Sequence, residues 1–262
     1  MGILNVTPDS FAESTPTRDP AMAIDAALRM EADGADIIDI GGESTRPGAE
    51  PVRGDEELAR ILPVLQGLAG RLRVPISVDT YKAAVARAAI DAGAAMVNDV
   101  SGLRMEPALA AVAAERGAAL VLMHTRGRSK TMYAEAVYDD VVGDVARELK
   151  ASVQTATDAG VPIDRIILDP GVGFAKRPSH SYGVLARLPE LAAALDRPLL
   201  VGPSRKSFMR DAVGDRSAPE RDWGTAAAVT AAVLAGAHIV RVHAVAAMIQ
   251  VVRVAEEIRR HG

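Results

Sequence analysis

The chain has 262 residues, 49% hydrophobic, 24% charged and only 3% aromatic, with a formal net charge of −4. A mildly acidic sequence without a basic run interleaved with aromatics carries no nucleic-acid footprint, and zero cysteines exclude disulfides, thiolate metal ligands and a cysteine nucleophile. No apolar run reaches the about 18 residues of a membrane span, and the N-terminus lacks a charged-then-apolar leader. The expectation is a cytoplasmic protein with neither membrane nor nucleic acid as partner.

With so few aromatics, the core must be built from Ala, Val, Leu and Ile, the side chains that fill helix–strand layers in parallel α/β folds. The chain opens on an apolar strand, Ile3-Leu-Asn5, followed by an amphipathic helix over Ala21 to Ala32. A recurring phrase then sets in: an Ala-rich helical stretch, a glycine able to adopt positive φ past the last turn, an apolar strand and polar groups. Its glycines are Gly34 before Ile37–Ile40, Gly93 before Met96–Asp99, Gly117 before Leu120–Met123, Gly160 before Ile166–Asp169 and Gly236 before Ile239–Val242. Two strands follow Pro instead, Ile76–Asp79 and Leu199–Gly202, and the helices between include Glu56 to Leu68 and Ala83 to Ala92. Eight βα units in a chain of this length predict a (β/α)8 TIM barrel, one domain over residues 1–262. The competing fold, a doubly wound open sheet, normally needs fewer strands and often a Gly-rich dinucleotide loop; no G-x-G-x-x-G follows any strand here.

A barrel of this kind does its chemistry at the C-terminal rim. The polar residues ending the strands are Asn5, Asp39 with Glu43, Asp79, Asn98 with Asp99, His124, Asp169, the run Ser204-Arg-Lys-Ser207, and Arg241 with His243. Asp79, Asn98 and Asp169 suit either a flat, nitrogen-rich heterocycle or hard oxygen ligation of Mg²⁺. Arg241 and His243 follow the eighth strand, where barrels place phosphate, and Arg46 lies in a Gly/Pro-rich loop; together they suggest an anionic substrate group. Arg241 and His243 occupy alternate positions, which in a strand puts them on one side. His180, His238 and His261 read as structural. Ser204 lacks a G-x-S-x-G elbow and Lys206 lacks a Walker loop, so neither serine nucleophile nor P-loop lysine is expected.

Taken together, the segments 1–11, 41–48, Ser77–Thr80, Val97–Asp99, Asp169–Phe174, Ser204–Ser207 and Arg241–His243 closely resemble the dihydropteroate synthase family, in the family's order and over essentially the whole chain. The resemblance implies condensation of 6-hydroxymethyl-7,8-dihydropterin diphosphate with p-aminobenzoate, giving 7,8-dihydropteroate and diphosphate for folate synthesis, in an enzyme that is a sulfonamide target. It implies a pterin pocket of Asp79, Asn98, Asp169 and Lys206 walled by Met123, Phe174 and Gly202. It further implies Asn5 on Mg²⁺ and diphosphate, and Arg46, Arg241 and His243 around the departing diphosphate. The p-aminobenzoate contacts would be Phe11, Thr45, Arg46, Pro47, Lys206 and Ser207. The implied mechanism is dissociative and the implied assembly a homodimer through outer helices. Neighbouring readings are a methyltetrahydrofolate–corrinoid methyltransferase-like domain, against which Ser204–Ser207 and Glu43–Pro47 argue, and an inactive pterin-binding relative, which should have lost rim residues. The chain departs from the family at Ala12-Glu-Ser-Thr15, where Ser-Asp-Gly-Gly is usual, and at Ala244, where Asp is common.

Overall fold

The computed structural model of the protein describes residues 1–7, 19–44, 48–128 and 130–262. Its strands are β1 (Gly2–Asn5), β2 (Ile38–Gly41), β3 (Ile76–Asp79), β4 (Met96–Asp99), β5 (Ala119–Met123), β6 (Ile166–Asp169), β7 (Leu200–Val201) and β8 (Ile239–Val240). Parallel pairing follows chain order from β1 to β6, and β7 pairs with β8. Two parallel bridges, Leu168 with Leu199 and Gly2 with Val242, join these sheets at both seams, and the Ile3 amide donates to the Val242 carbonyl at 2.9 Å. The sheet therefore closes on itself as a (β/α)8 barrel. The last two strands are shorter than their apolar runs predict. Pro198 and Pro203 flank β7 and supply no N–H to the ladder, so regular pairing there contracts to two residues.

The outer helices are α1 (Pro20–Ala32), α2 (Gly54–Leu68), α3 (Ala83–Asp91), α4 (Ala108–Arg116), α5 (Val141–Asp158), α6 (Pro178–Ala186), α7 (Leu188–Leu195), α8 (Arg210–Val213), α9 (Asp222–Leu234) and α10 (Val245–His261). Local chemistry sets their ends. Asp19 accepts from the Ala21 amide ahead of Pro20, and Asp140 accepts from Val142 and Gly143 at the start of α5. All five glycines of the recurring phrase have positive φ, and Gly117 caps α4 in the left-handed region at 66°. Among the described residues no helix is long and apolar enough to cross a membrane.

Two apolar clusters divide the core. The larger packs the outward faces of the strands, among them Ile38, Ile40, Val78, Leu120, Leu122 and Leu168, against helix residues such as Ala27, Ile61, Leu65, Ala86 and Leu149. The smaller lies inside the ring, where Met1, Met96, Val121 and Leu200 pack with Ile37, Ala119, Ile167 and Ile239. Strand side chains two apart share a side, so each plug residue places the residue two positions on in the next layer toward the mouth. Ile37 leads to Asp39, Met96 to Asn98, Val121 to Met123, Ile167 to Asp169, Leu200 to Gly202 and Ile239 to Arg241. The plug is thus a floor on which the polar rim stands.

Because the outer cluster and the rim lie on opposite sides of the strands, they should be separable by mutation. Leu168→Ala, at a fully buried outer position, is expected to cost about 2–5 kcal/mol in urea unfolding while leaving the ligand affinity of the folded fraction unchanged.

Candidate active site

Parallel register brings the first wall together. Asp79 pairs with Gly41 on one side and Asn98 on the other, and Met123 pairs with Asp169. Asp39, Asp79, Asn98, Met123 and Asp169 are all buried. Arg241 enters this wall from the far seam: its Nε donates to Asp39 Oδ2 at 2.6 Å and its Nη2 to Asp79 Oδ2 at 2.7 Å. Asn98 Nδ2 donates to the same Asp39 oxygen at 2.9 Å, and Asp39 Oδ1 has no hydrogen-bond partner among the described residues. One guanidinium therefore serves two buried carboxylates. Burial pushes the Asp79 carboxyl up to about 7, against the pull of Arg241 and with the help of the Asp39 charge. Burial also opposes the charge on Arg241, but the two carboxylates outweigh it and hold its pKa above the ordinary value.

The opposite wall is built on the loop after β6. Asp169 Oδ1 accepts from the Gly171 amide at 2.7 Å, which fixes the carboxylate; burial raises its pKa and the nearby Lys206 charge opposes. Lys206 Nζ donates to the Val172 carbonyl at 2.5 Å and lies 4.0 Å from the Phe174 ring centroid. Burial lowers the Lys206 ammonium to about 7, with Asp169 holding it from falling further. Only glycine fits at 173: φ is 82°, and a β-carbon would stand 2.7 Å from Lys206 Cδ. Gly202 sits between the walls, where a β-carbon would be 3.6 Å from Arg241 Cβ and 4.0 Å from Asp169 Oδ2. Asp79, Asn98, Met123, Asp169, Phe174, Gly202 and Lys206 thus occupy one end of the barrel.

The expected anion side is less uniform. β8 itself ends at Val240, but the backbone still pairs beyond it, the Arg241 amide with the Val201 carbonyl and Val242 with Gly2, and the Arg241 and His243 side chains take different partners. Arg241 turns to β2 and β3, whereas His243 turns to Ser204, whose Oγ lies 2.9 Å from His243 Nδ1 and accepts from the His243 amide at 3.2 Å. Asn5 ends β1 half-buried, and its carboxamide makes no hydrogen bond among the described residues. Ser207 is exposed and pairs with Tyr133 at 3.3 Å. Phe11, Thr45, Arg46 and Pro47, and with them Glu13, lie outside the described residues. Asp99 is turned from the mouth and accepts from the Ser101 and Leu103 amides at 2.7 and 2.6 Å, a turn-capping role. His180 accepts from the Arg177 amide and His238 from the Leu199 amide, both structural contacts.

Residue types alone did not reveal two participants. Asp39 stands among the strand-end residues, but its role as joint partner of Arg241 and Asn98 depends on a contact across 202 residues. Strand parity above Ile37 was the available signal. Lys176, fully buried behind Asp169 and bonded to His124, follows Phe174 by two residues and has no periodicity to mark it.

A closed parallel barrel whose mouth combines fixed carboxylates, an amide, a lysine and an aromatic wall defines an α/β-barrel enzyme that holds a flat polar ring. The profile of the pterin binding enzyme family matches residues 1–243. The chain belongs to that family. It is 49% identical over 260 residues to the dihydropteroate synthase of Synechocystis sp., covering 99% of this chain and 90% of that protein. A Yersinia pestis dihydropteroate synthase solved with a sulfonamide drug matches with a TM-score of 0.93 at 42% identity, over 99% of this chain and 94% of that one. A Xanthomonas albilineans dihydropteroate synthase solved with 4-aminobenzoic acid gives a TM-score of 0.91 at 41% identity, over 99% and 92% of the two chains.

The shared cation generates a pH-dependent prediction. Because the folded pKa of Asp79, about 7, lies above that of an unfolded aspartate, about 3.9, the folded state binds the extra proton between these values. Stability therefore falls as pH rises through that window. Asp79→Asn leaves Arg241 with Asp39 alone, and is expected to be about 1–2 kcal/mol more stable than wild type at pH 8. In chemical denaturation the gain should fade by about pH 4, and pterin binding measured by calorimetry should be lost at every pH.

Proposed function

We propose that this protein is a dihydropteroate synthase, a cytoplasmic enzyme that joins 6-hydroxymethyl-7,8-dihydropterin diphosphate to p-aminobenzoate. The observation that carries the reading is the mouth itself, where Asp79, Asn98, Asp169 and Lys206 present fixed acceptors and donors around a space left open by Gly41 and Gly202. Such a rim matches the alternating amino, N–H and carbonyl edge of a pterin.

The chemistry follows from the charge distribution. The methylene–oxygen bond breaks and its electron pair leaves with diphosphate, so positive charge develops on the methylene carbon and spreads into the ring. Asp79 and Asp169, one sharing its cation with Asp39 and the other bonded to a backbone amide, favour that charge electrostatically. The aniline nitrogen of p-aminobenzoate then donates its lone pair to the methylene carbon and releases a proton. A neutral aniline is nucleophilic without a strong base, and the proton it releases can pass to the departing diphosphate or to solvent.

Arg241, His243, Asn5 and Arg46 would take the departing diphosphate. Arg241 is preorganised for this by its two carboxylates, and its Nη1 has no partner among the described residues. Asn5 offers an unengaged, hard amide oxygen, and no group of three His, Asp or Glu among the described residues forms a cage for a metal. That donor set fits Mg²⁺, which is commonly held by few protein ligands together with phosphate oxygens and water. When bound there, the ion would neutralise negative charge on the leaving group. Lys206 and Ser207, with Phe11, Thr45, Arg46 and Pro47, would receive p-aminobenzoate.

Incubation with the pterin diphosphate, p-aminobenzoate and Mg²⁺ should yield dihydropteroate and free diphosphate. Lys206→Ala should lower kcat/KM by at least about 100-fold, and chelation of Mg²⁺ should depress turnover reversibly. Folded protein that makes no product would rule the assignment out.

A homodimer through the outer helices is part of the same reading. Leu234 of α9 and Val254 and Ile258 of α10 are 42%, 62% and 55% exposed on neighbouring helices, and they supply apolar side chains for such a contact. Sedimentation should show a dimer, and Val254→Asp should shift it to monomer; an unchanged dimer would move the interface elsewhere.

A further inference from the structure

The most unusual buried group outside the substrate contacts is Lys176. It is 1% exposed, yet among the described residues its ammonium meets no carboxylate. Its acceptors are both neutral: His124 Nδ1 at 2.8 Å and the Phe174 carbonyl at 3.2 Å. His124 is itself buried, and its Nε2 lies 3.1 Å from Glu148 Oε2. Since Nδ1 accepts from lysine and Nε2 faces a carboxylate, the network assigns the Nε2–H tautomer. Burial, reinforced by the Lys176 charge, lowers His124 to about 4, so the ring stays neutral near pH 7. Glu148 is fixed in turn by Arg104 at 2.6 Å and by Arg126. The result is a directed chain from Lys176 through His124 to Glu148 on α5.

This chain grips a loop that would not hold its shape unaided. Between β6 and α6, three residues have left-handed backbone: Gly171 at φ 66°, Gly173 at 82° and Ala175 at 47°. Ala175 carries a β-carbon, so its conformation is strained. Gly171 presses so close to the end of β5 that a β-carbon there would lie 1.9 Å from the His124 carbonyl oxygen. Strained conformations of this sort persist where surrounding contacts over-determine them. Tyr138 supplies one, its hydroxyl donating to the Ala175 carbonyl at 2.8 Å, and Ser181 Oγ another by accepting from Gly173. Lys176 supplies the third, and it holds Phe174, whose ring faces the Lys206 ammonium on the other side. Val172 of the same loop accepts from Lys206.

We propose that Lys176 and His124 form a positioning pair that sets the pterin-facing loop, and through Phe174 and Val172 sets the placement of Lys206, a role that rests on the pterin reading of the mouth. Lys176 touches no substrate in this arrangement. Its effect falls chiefly on pterin affinity, because Phe174 and Val172 belong to the loop that walls the ring, and reaches p-aminobenzoate only through Lys206.

Lys176→Met keeps the length of the side chain and removes the ammonium. The pterin diphosphate KM and the calorimetric Kd for diphosphate-free 6-hydroxymethylpterin are expected to rise roughly 10- to 100-fold, with kcat within about 3-fold of wild type and a smaller rise in the p-aminobenzoate KM than in the pterin KM. His124→Leu should reproduce this effect. His124→Gln should restore pterin affinity, because its amide can accept from Lys176 and donate to Glu148 as the imidazole does. If the methionine variant does not fold, the leucine and glutamine variants decide the matter between them. Wild-type pterin affinity in folded Lys176→Met, or glutamine no better than leucine at position 124, overturns the positioning role. A wild-type protein that binds no pterin overturns instead the site reading on which it rests.

Discussion

The guanidinium of Arg241 connects the end of the eighth strand to Asp39 on the second and Asp79 on the third, through bonds of 2.6 and 2.7 Å. It ties the barrel mouth together electrostatically across the seam between the two-residue β8 and β1. Being one cation between two buried carboxylates, it leaves the mouth with an excess of acceptor capacity. Asn98 is drawn into the same arrangement through Asp39, so three strands and the seam share a single charge centre. A ring carrying N–H donors, and still more a ring carrying developing positive charge, completes what the protein leaves uncompensated.

Elsewhere the barrel separates support from chemistry. Its outer layer of aliphatic strand and alanine-rich helix faces carries the packing, and the small inner plug keeps the ring from being a pore. Above that plug stand the polar residues of the rim, among them Asp79, Asn98 and Asp169. Asp79, Asn98 and Asp169 are held by backbone register rather than by flexible loops, which is the arrangement that keeps acceptors aimed without reorganisation.

The second wall is held differently. Asp169 is rigid on its strand, but Phe174 and the carbonyl that orients Lys206 belong to a loop with three left-handed residues. Such a loop can approach a lysine stem closely, as at Gly173, and needs contacts from behind to stay there. Tyr138, Ser181 and the Lys176–His124 pair meet that need, and all of them lie outside the mouth.

The sequence by itself determined the barrel, because an alternation of amphipathic helices and apolar strands with glycine at the helix ends is a local pattern, repeated until only a closed parallel sheet accommodates it. It also determined which residues end the strands, since polarity at Asp79, Asn98, Asp169 and Arg241 interrupts an apolar run within a few positions. Motif resemblance added the chemistry that composition could not. Tertiary structure decided the partnerships. That Arg241 turns to Asp39 and Asp79 while His243 turns to Ser204, and that Asp99 leaves the mouth to cap a turn, follows from register, not from residue type. Lys176 was illegible for the same reason: its importance comes from burial against His124 and from the backbone conformation of the loop it closes, neither of which has a local signature. Periodicity reports the side of an element on which a residue lies; only the closed barrel fixes what it meets there.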